Sequence, residues 1–316
     1  MQNGALKLKK HNFSRAFYRR FALSLICLSV VIGGVFTSCK TLPVSETPVN
    51  ALDLLDDESA FYIAIPNSVD PELVIRFLQN NIQNLSEKDA ALISSRIDNI
   101  YCGLTHKKNR TFIQLACDAK IGNSIAAKIF TEKNGWQSNL AITTFKNTYT
   151  VYDRDKLELS FPSSNIALIG RDIPVMLNQF DNIRSLNLEG ELETVEVPHL
   201  LQGEAYEYLS QAAENQEIRF YAGRPQSFLT ILTGAQLDLK LDHVSGAFVC
   251  DSEKDGQYIL TLDFKFKDPA YLKAGRGLLT LAFGLTNSNC QLIGDDELKI
   301  SGIKIAKKSL YKILIL

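Results

Sequence analysis

Residues 59–66 read SAFYIAIP and residues 218–225 read IRFYAGRP. Each segment contains a Phe-Tyr pair in a β-rich run that is stopped by a proline, which indicates a short β-strand in each half of the chain. A helix is expected after each strand, and a pair of strands around a polar tip is expected after each helix. Because this order of elements occurs twice, the sequence predicts an internal repeat.

The repeated order is strand, helix, strand, strand, helix, strand, which is the split βαβ arrangement of the ferredoxin-like fold. The predicted fold class is therefore α+β, with two tandem ferredoxin-like (β-α-β-β-α-β) repeats and mainly antiparallel sheets. The first repeat is expected over residues 52–185 and the second over residues 205–316. Between them, residues 186–204 begin with the acidic stretch LNLEGELETVEV and form the expected linker.

Two predicted helices begin with an aspartate followed by a proline, at Asp70 and at Asp268. Aspartate is a favoured N-cap and proline is favoured at the first helical position. In the helix after Asp268, Gly275 and Gly277 are expected to permit close packing on the sheet. Ser86 is expected to start a further helix, and others are expected over residues 123–130, 174–180, 205–214 and 226–233. The chain is expected to end in strands over residues 290–293, 297–305 and 309–316.

The N-terminal part of the chain has the pattern of an export signal. Residues 1–20 contain six basic residues and no acidic residue, and the apolar run FALSLICLSVVIGGVF follows over residues 21–36. A basic segment stays on the cytoplasmic side while the apolar segment enters the translocation machinery. The run is slightly long for a secretory signal and slightly short for a membrane-spanning helix, which needs ~20 apolar residues.

The apolar run leads into Phe36-Thr37-Ser38-Cys39. This segment resembles the lipobox of bacterial lipoprotein precursors, in the relaxed form found in spirochaete-type lipoproteins. The resemblance implies a type II signal peptide over residues 1–38, cleavage before Cys39, a diacylglycerol on the Cys39 sulfur and usually an acyl chain such as palmitate on its amino group. Two or three chains give stable anchoring in a lipid bilayer. Two alternatives stay open, namely an inner-membrane protein with an uncleaved N-terminal helix and ordinary cleavage with release.

Residues 39–51 are the expected lipidated cysteine and flexible tether, because two prolines and small polar residues favour an extended chain. Lys40 follows the anchor cysteine, which would favour the outer membrane under the sorting rule of enteric lipoproteins. The expected location is the bacterial cell envelope, facing the periplasm or the cell surface. Six of the 34 basic residues and none of the 35 acidic ones lie before Cys39, so the remaining 278 residues carry a net charge of −7. This acidic body argues against a nucleic-acid partner.

The four cysteines after Cys39 are Cys102, Cys117, Cys250 and Cys290. An exported compartment permits disulfides. If Asn109 and Arg110 form a two-residue hairpin loop, Cys102 lies directly opposite Cys117, and a disulfide between them is possible. A longer loop would offset them, and two buried free thiols are the alternative. The chain has no CxxC motif and no Cys/His cluster, so no metal site is predicted.

The sequence contains no motif for a catalytic centre or a cofactor. His106, His199 and His243 stand outside any motif and are expected to be solvated, and Phe61, Tyr62, Phe220 and Tyr221 are expected in the sheet core rather than in a ligand-stacking platform. The favoured hypothesis is a lipid-anchored envelope lipoprotein with a non-enzymatic binding or structural ectodomain, whose partner is an envelope protein or ligand. The alternative is a periplasmic hydrolase with loop-borne carboxylates, which would require acidic residues to converge in one cleft.

Overall fold

The computed structural model describes residues 49–81, 85–107, 110–121, 123–154, 157–170, 173–188, 200–201, 203–226, 229, 239–254 and 256–314. The expected signal peptide, Cys39 and nearly all of the tether lie outside these residues, as does most of the helix expected over residues 226–233. Residues 48–316 form one compact unit. Ala51 already lies fully buried in a short 3₁₀ helix, so the folded part begins before the predicted end of the tether.

Within the described residues, the strands form one twelve-stranded sheet. They are β1 (Phe61–Pro66), β2 (Ile97–Lys107), β3 (Arg110–Ala119), β4 (Gln137–Ile142), β5 (Thr148–Arg154), β6 (Leu157–Ser163), β7 (Ile166–Gly170), β8 (Ile218–Ala222), β9 (Leu241–Cys250), β10 (Gln257–Phe266), β11 (Asn289–Leu292) and β12 (Glu297–Ala306). Their order is β11-β12-β10-β9-β8-β1-β2-β3-β7-β6-β5-β4. The mainly antiparallel α+β class is thereby confirmed.

The two predicted Phe-Tyr strands are the centre of this sheet. β1 pairs with β8 in antiparallel orientation, with Tyr62 opposite Tyr221 and Ile63 opposite Phe220. On either side of this pair the strands follow in matching order, β1-β2-β3-β7 on one side and β8-β9-β10-β12 on the other. The two halves of the chain therefore meet edge to edge in one continuous sheet.

The strand order differs from the predicted ferredoxin-like arrangement. In a split βαβ unit the two strands joined by the helix are parallel and have another strand between them, whereas here β1 pairs directly with β2 in antiparallel orientation. The reason is that two helices, not one, lie between β1 and β2. They return the chain to the end of the sheet where β1 stops, so that Pro66 lies opposite Asn99 near the start of β2.

Eight α-helices occur in the described residues: α1 (Pro71–Asn81), α2 (Glu87–Ser94), α3 (Asn123–Ile129), α4 (Ile173–Leu188), α5 (Gly203–Ser210), α6 (Ala212–Asn215), α7 (Pro269–Phe283) and α8 (Lys307–Leu314). Short 3₁₀ helices cover Ala51–Leu54, Glu132–Asn134 and Gly284–Thr286. The predicted caps are confirmed, because carboxylate or hydroxyl oxygens of Asp70, Ser86 and Asp268 accept hydrogen bonds from backbone N–H groups of the first helical turn.

Three predicted elements need correction. The strand predicted over residues 309–316 is helix α8, in which Leu310 and Tyr311 are buried on one side. The short helix predicted over residues 174–180 extends to Leu188, into the predicted linker, and the helix predicted over 205–214 is divided into α5 and α6. Gly275 does permit close packing, since a Cβ atom there would lie 2.3 Å from the Phe266 ring, but Gly277 has no neighbour within 4 Å.

Side chains alternate between the two faces of the sheet and build a core on each face. The front face, which carries Ile63, Cys102 and Phe264, is covered by α1, α2, α3, α7 and α8. The rear face, which carries Tyr62, Tyr101 and Leu168, is covered near its centre by Ala51–Leu54, α4, α5 and α6. No described residue of β9, β10, β11 or β12 belongs to the rear core. The rear face is thus packed in the first half of the chain and largely open in the second.

Candidate functional site

Helix α7 presents an apolar stripe to the surface. Tyr271, Leu278 and Leu281 are exposed, and Leu281 retains 79% of its full exposure. Together with Ala274 they recur at helical spacing, so they lie along one side of the helix. The same helix buries Leu272 and Leu279 against the front face of the sheet. α7 is therefore apolar both where it meets the sheet and along a second, solvent-facing side.

The charges of α7 are all positive. Lys273 and Arg276 are exposed on the same helix, outside the apolar stripe, and no acidic residue occurs between Pro269 and Phe283. The chain from residue 39 to residue 316 is acidic overall, with a net charge of −7. A helix with an exposed apolar stripe and only lysine and arginine as charged residues has the composition of helices that lie in the interface of an anionic membrane.

A second surface feature is a polar cavity of about 200 Å³ on the open rear face of the second half. Acidic side chains from three elements line it: Glu204 at the start of α5, Asp263 on β10 and Glu297 on β12. The remaining lining side chains are Tyr208, Tyr221, His243, Ser245 and Lys265. The cavity lies at the edge of the area that α5 covers. Helix α5 forms one wall, and residues of β8, β9, β10 and β12 form the floor.

His243 and Tyr221 lie next to each other in the lining of this cavity. Their rings are stacked with centroids 4.6 Å apart, and the His243 ring nitrogens lie 3.1 Å from an Asp242 carboxylate oxygen and 3.5 Å from a Glu204 carboxylate oxygen. Burial raises the pKa of the Tyr221 hydroxyl to about 12, so this hydroxyl stays protonated at neutral pH. The predicted exposed, solvated state of His243 is therefore wrong, because its imidazole is buried between neighbours.

The charges around the cavity are only partly balanced. Lys265 Nζ lies 2.9 Å from Asp296, and Lys299 Nζ lies 3.2 Å from Asp263 Oδ1. Burial raises the pKa of Asp263, and the nearby lysine partly opposes this effect. Glu204 and Glu297 form no close ion pair with a lysine or arginine among the described residues, but the charge of Lys265 interacts with both at longer range. The lining therefore has an excess of negative charge.

This arrangement does not contain a nucleophile activated by a base. The Ser245 hydroxyl makes no hydrogen bond to His243, so the described part of this cavity does not contain a serine–histidine contact. Three carboxylates do line one cavity, as the hydrolase alternative required. Asp263 is shielded and burial raises its pKa, whereas Glu204 keeps 71% of its side chain exposed, unlike the shielded carboxyls that acid–base chemistry favours.

The other predicted site residues lie elsewhere. In the β2–β3 pair Lys107 lies opposite Arg110, a different register from the one assumed, so Cys102 lies opposite Leu115 and Cys117 lies opposite Ile100. The two cysteines are diagonal neighbours on the front face, and both are buried free thiols in the structure. Cys39 and His199 lie outside the described residues. No group of three or more His, Cys, Asp or Glu side chains that could hold a metal ion occurs in the described part.

The predicted core aromatics contribute to the two cores. Tyr62 and Phe220 are buried, and the Phe61 ring stacks on Phe220 with centroids 5.6 Å apart. Tyr221 is partly buried against the rear core and also lines the cavity. The alternation of polar residues along β9 and β10, His243 with Ser245 and Asp263 with Lys265, is the sequence signal of an uncovered face, and it could have located the cavity floor.

No helix in the described residues is long and apolar enough to cross a membrane. The chain is similar in structure to three crystal forms of TP0453. Form I has a TM-score of 0.65 at 16% identity, form III 0.59 at 18% and form IV 0.57 at 17%, and each comparison covers 85% of this chain and 98% of the TP0453 chain. A search of curated proteins gives no match.

The crystal structures are similar to this chain in fold. A match to a family model adds a relationship in sequence. The model described as "Outer membrane-associated lipoprotein TP0453" matches residues 46–311, which is most of the chain and all of its strands. The matched range includes both α7 and the polar cavity. The chain therefore belongs to the TP0453 family of outer membrane-associated lipoproteins.

Proposed function

We propose that this protein is an envelope lipoprotein whose Cys39 carries the lipid, after cleavage of residues 1–38, and whose ectodomain has a non-enzymatic role at the outer membrane. The lipobox-like Phe36-Thr37-Ser38-Cys39 and the description of the family support this assignment. Residues 40–48 then separate the lipid from the folded part, which begins at the buried Ala51.

The ectodomain makes a second contact with the lipid surface through the apolar stripe of α7. This proposal depends mainly on one observation, the exposure of Leu278 and Leu281 on the helix that carries Lys273 and Arg276. A fully buried leucine side chain gains about 1.5–3 kcal/mol relative to an exposed one. The cations add attraction to anionic lipid. With the lipid on Cys39 already holding the protein near the bilayer, this contact sets the orientation of the sheet on the membrane.

The two halves are proposed to be repeats, over residues 52–185 and 205–316, joined by residues 186–204. The matching strand orders on either side of the β1–β8 pair support this division. The strongly exposed apolar residues differ between the halves. The first half has them on the edge strand β4, at Leu140 and Ile142, and the second half has them on α7. The lysine and arginine of α7 distinguish it as the lipid-facing surface.

Vesicle flotation with the Cys39→Ala ectodomain tests the second contact, because this variant has no lipid of its own. The double variant Leu278→Asp/Leu281→Asp should lose about 3 kcal/mol of binding to vesicles of phosphatidylethanolamine and phosphatidylglycerol, a loss of roughly 100-fold. The matched control is Leu140→Asp on β4, which replaces an aliphatic side chain of similar exposure (72%) near the opposite end of the sheet. Equal loss in the control would refute a specific role for α7.

A further inference from the structure

Strand β4 is an unprotected edge of the sheet. In the described part of the chain it pairs on one side only, with β5, through six consecutive residue pairs without a bulge. Edge strands are usually kept from pairing with other chains by charged side chains, prolines, bulges or short length. Residues 134–145 contain no charged residue and no proline. The other edge strand, β11, has only four residues and is followed by the acidic residues 295–297.

The front side of the β4 edge is apolar and uncovered. Leu140 and Ile142 lie on this side of the strand and are 72% and 73% exposed. Their neighbours on β5, Thr150 and Thr148, are exposed as well. Ala141 points to the other side and packs against the rear core. A further strand beside β4 would therefore cover two aliphatic side chains that are now in contact with water.

Helix α4 holds this edge in a fixed conformation. The buried carboxylate of Asp181 accepts hydrogen bonds from the hydroxyls of Thr143 and Tyr149, on either side of the β4–β5 turn. The side-chain amide of Asn147 donates to the same carboxylate at 2.9 Å. The backbone N–H of Thr144 donates to Asn178 Oδ1, also on α4, at 2.8 Å. A strand that is already ordered loses little conformational entropy when it pairs with another strand.

The backbone of β4 limits the register of such a pairing. The N–H of Thr143 donates to the Asn147 carbonyl at 3.0 Å, so the polar backbone groups of Thr143 face β5. Because this direction alternates along an antiparallel strand, the N–H and C=O groups of Leu140 and Ile142 face outward. An antiparallel pairing of two β4 strands centred on Ala141 places Leu140 of each opposite Ile142 of the other. This register pairs the outward backbone groups and covers the exposed aliphatic side chains together.

The charges near β4 also suit a second copy of the chain. Two bodies with a net charge of −7 repel each other, which disfavours association through acidic surfaces. In the register centred on Ala141, the β4–β5 turn of one copy, with the exposed Lys146, lies at the same end as the start of β4 in the other copy. The exposed Glu132 lies at that start. It lines an open concavity of about 450 Å³ with Gly135, Trp136, Gln137 and Ser138.

We propose that β4 pairs with β4 of a second copy of this chain, so that a two-fold axis at Ala141 joins the two sheets into one. Such an interface is self-complementary, because the same residues of both copies meet in it. Lys146 of each copy lies near Glu132 of the other. The strand belongs to the first half of the chain and α7 to the second, so this inference does not depend on the membrane contact.

Cysteine cross-linking of the full-length, detergent-solubilised protein tests the proposal. In the proposed register, the two Ala141 residues form a non-hydrogen-bonded pair with Cα atoms about 4.5 Å apart, within the range of a disulfide. With the exposed native thiol removed by Cys250→Ser, Ala141→Cys should be converted mostly to a covalent dimer by copper–phenanthroline, as seen on a non-reducing gel. Adding Leu140→Lys, a charge of the kind that protects natural edge strands, should reduce the dimer by about tenfold or more.

The matched control is Gln137→Cys in the same Cys250→Ser protein. Gln137 is exposed on the same strand, but the two copies of it would lie about 27 Å apart in this register, so no dimer is expected. Equal dimer yields from the two cysteine positions would mean random collision or another register and would overturn the proposal. Absence of a dimer with Ala141→Cys would mean that β4 stays unpaired or accepts a strand of another protein, and an unchanged yield with Leu140→Lys would exclude strand pairing. Either result would overturn it.

Discussion

Asp70 connects three elements, and its replacement should separate them. Its carboxylate accepts a hydrogen bond from the Leu73 N–H at the start of α1, and it also accepts hydrogen bonds from the hydroxyls of Tyr258 on β10 and Tyr311 on α8. Lys307 Nζ lies 3.0 Å from the same carboxylate. Asp70 itself is 2% exposed. This one side chain therefore holds the C-terminal helix and a strand of the second half against the first half.

We expect Asp70→Ala to destabilise the protein by about 4 kcal/mol. Loss of an N-cap costs about 1 kcal/mol, and removing one partner of a buried, hydrogen-bonded ion pair costs about 3–5 kcal/mol. The two contributions overlap, and Lys307 keeps Glu72 at 3.0 Å as a second partner. Asp70→Asn keeps one oxygen that can accept from the Leu73 N–H and places an NH2 donor at the position of Oδ2, where the tyrosine hydroxyl oxygens can accept from it, so we expect it to cost only about 1–2 kcal/mol.

Urea unfolding of both variants gives the two free energies, and hydrogen exchange locates the change. In Asp70→Ala, the amides of α8 should lose protection before those of the central strands β1 and β8, because α8 is held by this contact at the surface of the core. A cost below about 1 kcal/mol for Asp70→Ala, or equal costs for the two variants, would refute the role of Asp70 as a charged connector.

Three further predictions concern packing, thiol reactivity and pH. Gly275→Ala should lower the free energy of unfolding by about 1–3 kcal/mol, because its Cβ would lie 2.3 Å from the Phe266 ring. Gly277→Ala, which has no neighbour within 4 Å, should leave the stability unchanged or raise it by up to about 1 kcal/mol. The urea midpoints of the two variants test both expectations. Burial raises the pKa of the Cys102 thiol to about 12, so a thiol reagent at pH 8 should label the exposed Cys250 and spare Cys102 in the native protein, and rapid labelling of Cys102 would contradict its burial. Burial also raises the pKa of Asp118, so its ionisation opposes folding above that pKa and has no effect below the unfolded value. Asp118→Asn removes this ionisation but also one of the two oxygens that accept from Ala51 and Asn99. Its effect on stability relative to the wild type should therefore be more favourable at pH 7 than at pH 4, and an equal effect at both would contradict the shift.

The elements with local signals could be predicted from the sequence. Asp70, Ser86 and Asp268 mark helix starts because a side-chain cap depends on residues within one turn. The Phe-Tyr strands were identified because aromatic and β-branched runs stopped by proline have few other solutions. The pairing of β1 with β8 depends on the tertiary fold, and no local sequence pattern specifies it.

The errors arose where one residue of register or one tertiary contact decides the outcome. A register in which Lys107 lies opposite Arg110 places Cys102 opposite Leu115 instead of Cys117, a shift of two positions that keeps both cysteines on the same face. The sequence predicts a strand over residues 309–316, but Lys307–Leu314 form α8, which buries Leu310 and Tyr311 in the front-face core. The alternation of polar residues along β9 and β10 could have located the cavity floor, but the wall formed by α5 depends on tertiary packing that no local pattern specifies.

The central claim is that Cys39 is the lipidated N-terminus of an exported ectodomain. The intact mass of the native protein, extracted from membranes, tests it most directly. The expected mass is that of residues 39–316 plus a diacylglycerol and an acyl chain, with no loss of hydrogen from a disulfide between Cys102 and Cys117. The mass of the unmodified 316-residue chain, 35.3 kDa, would contradict it.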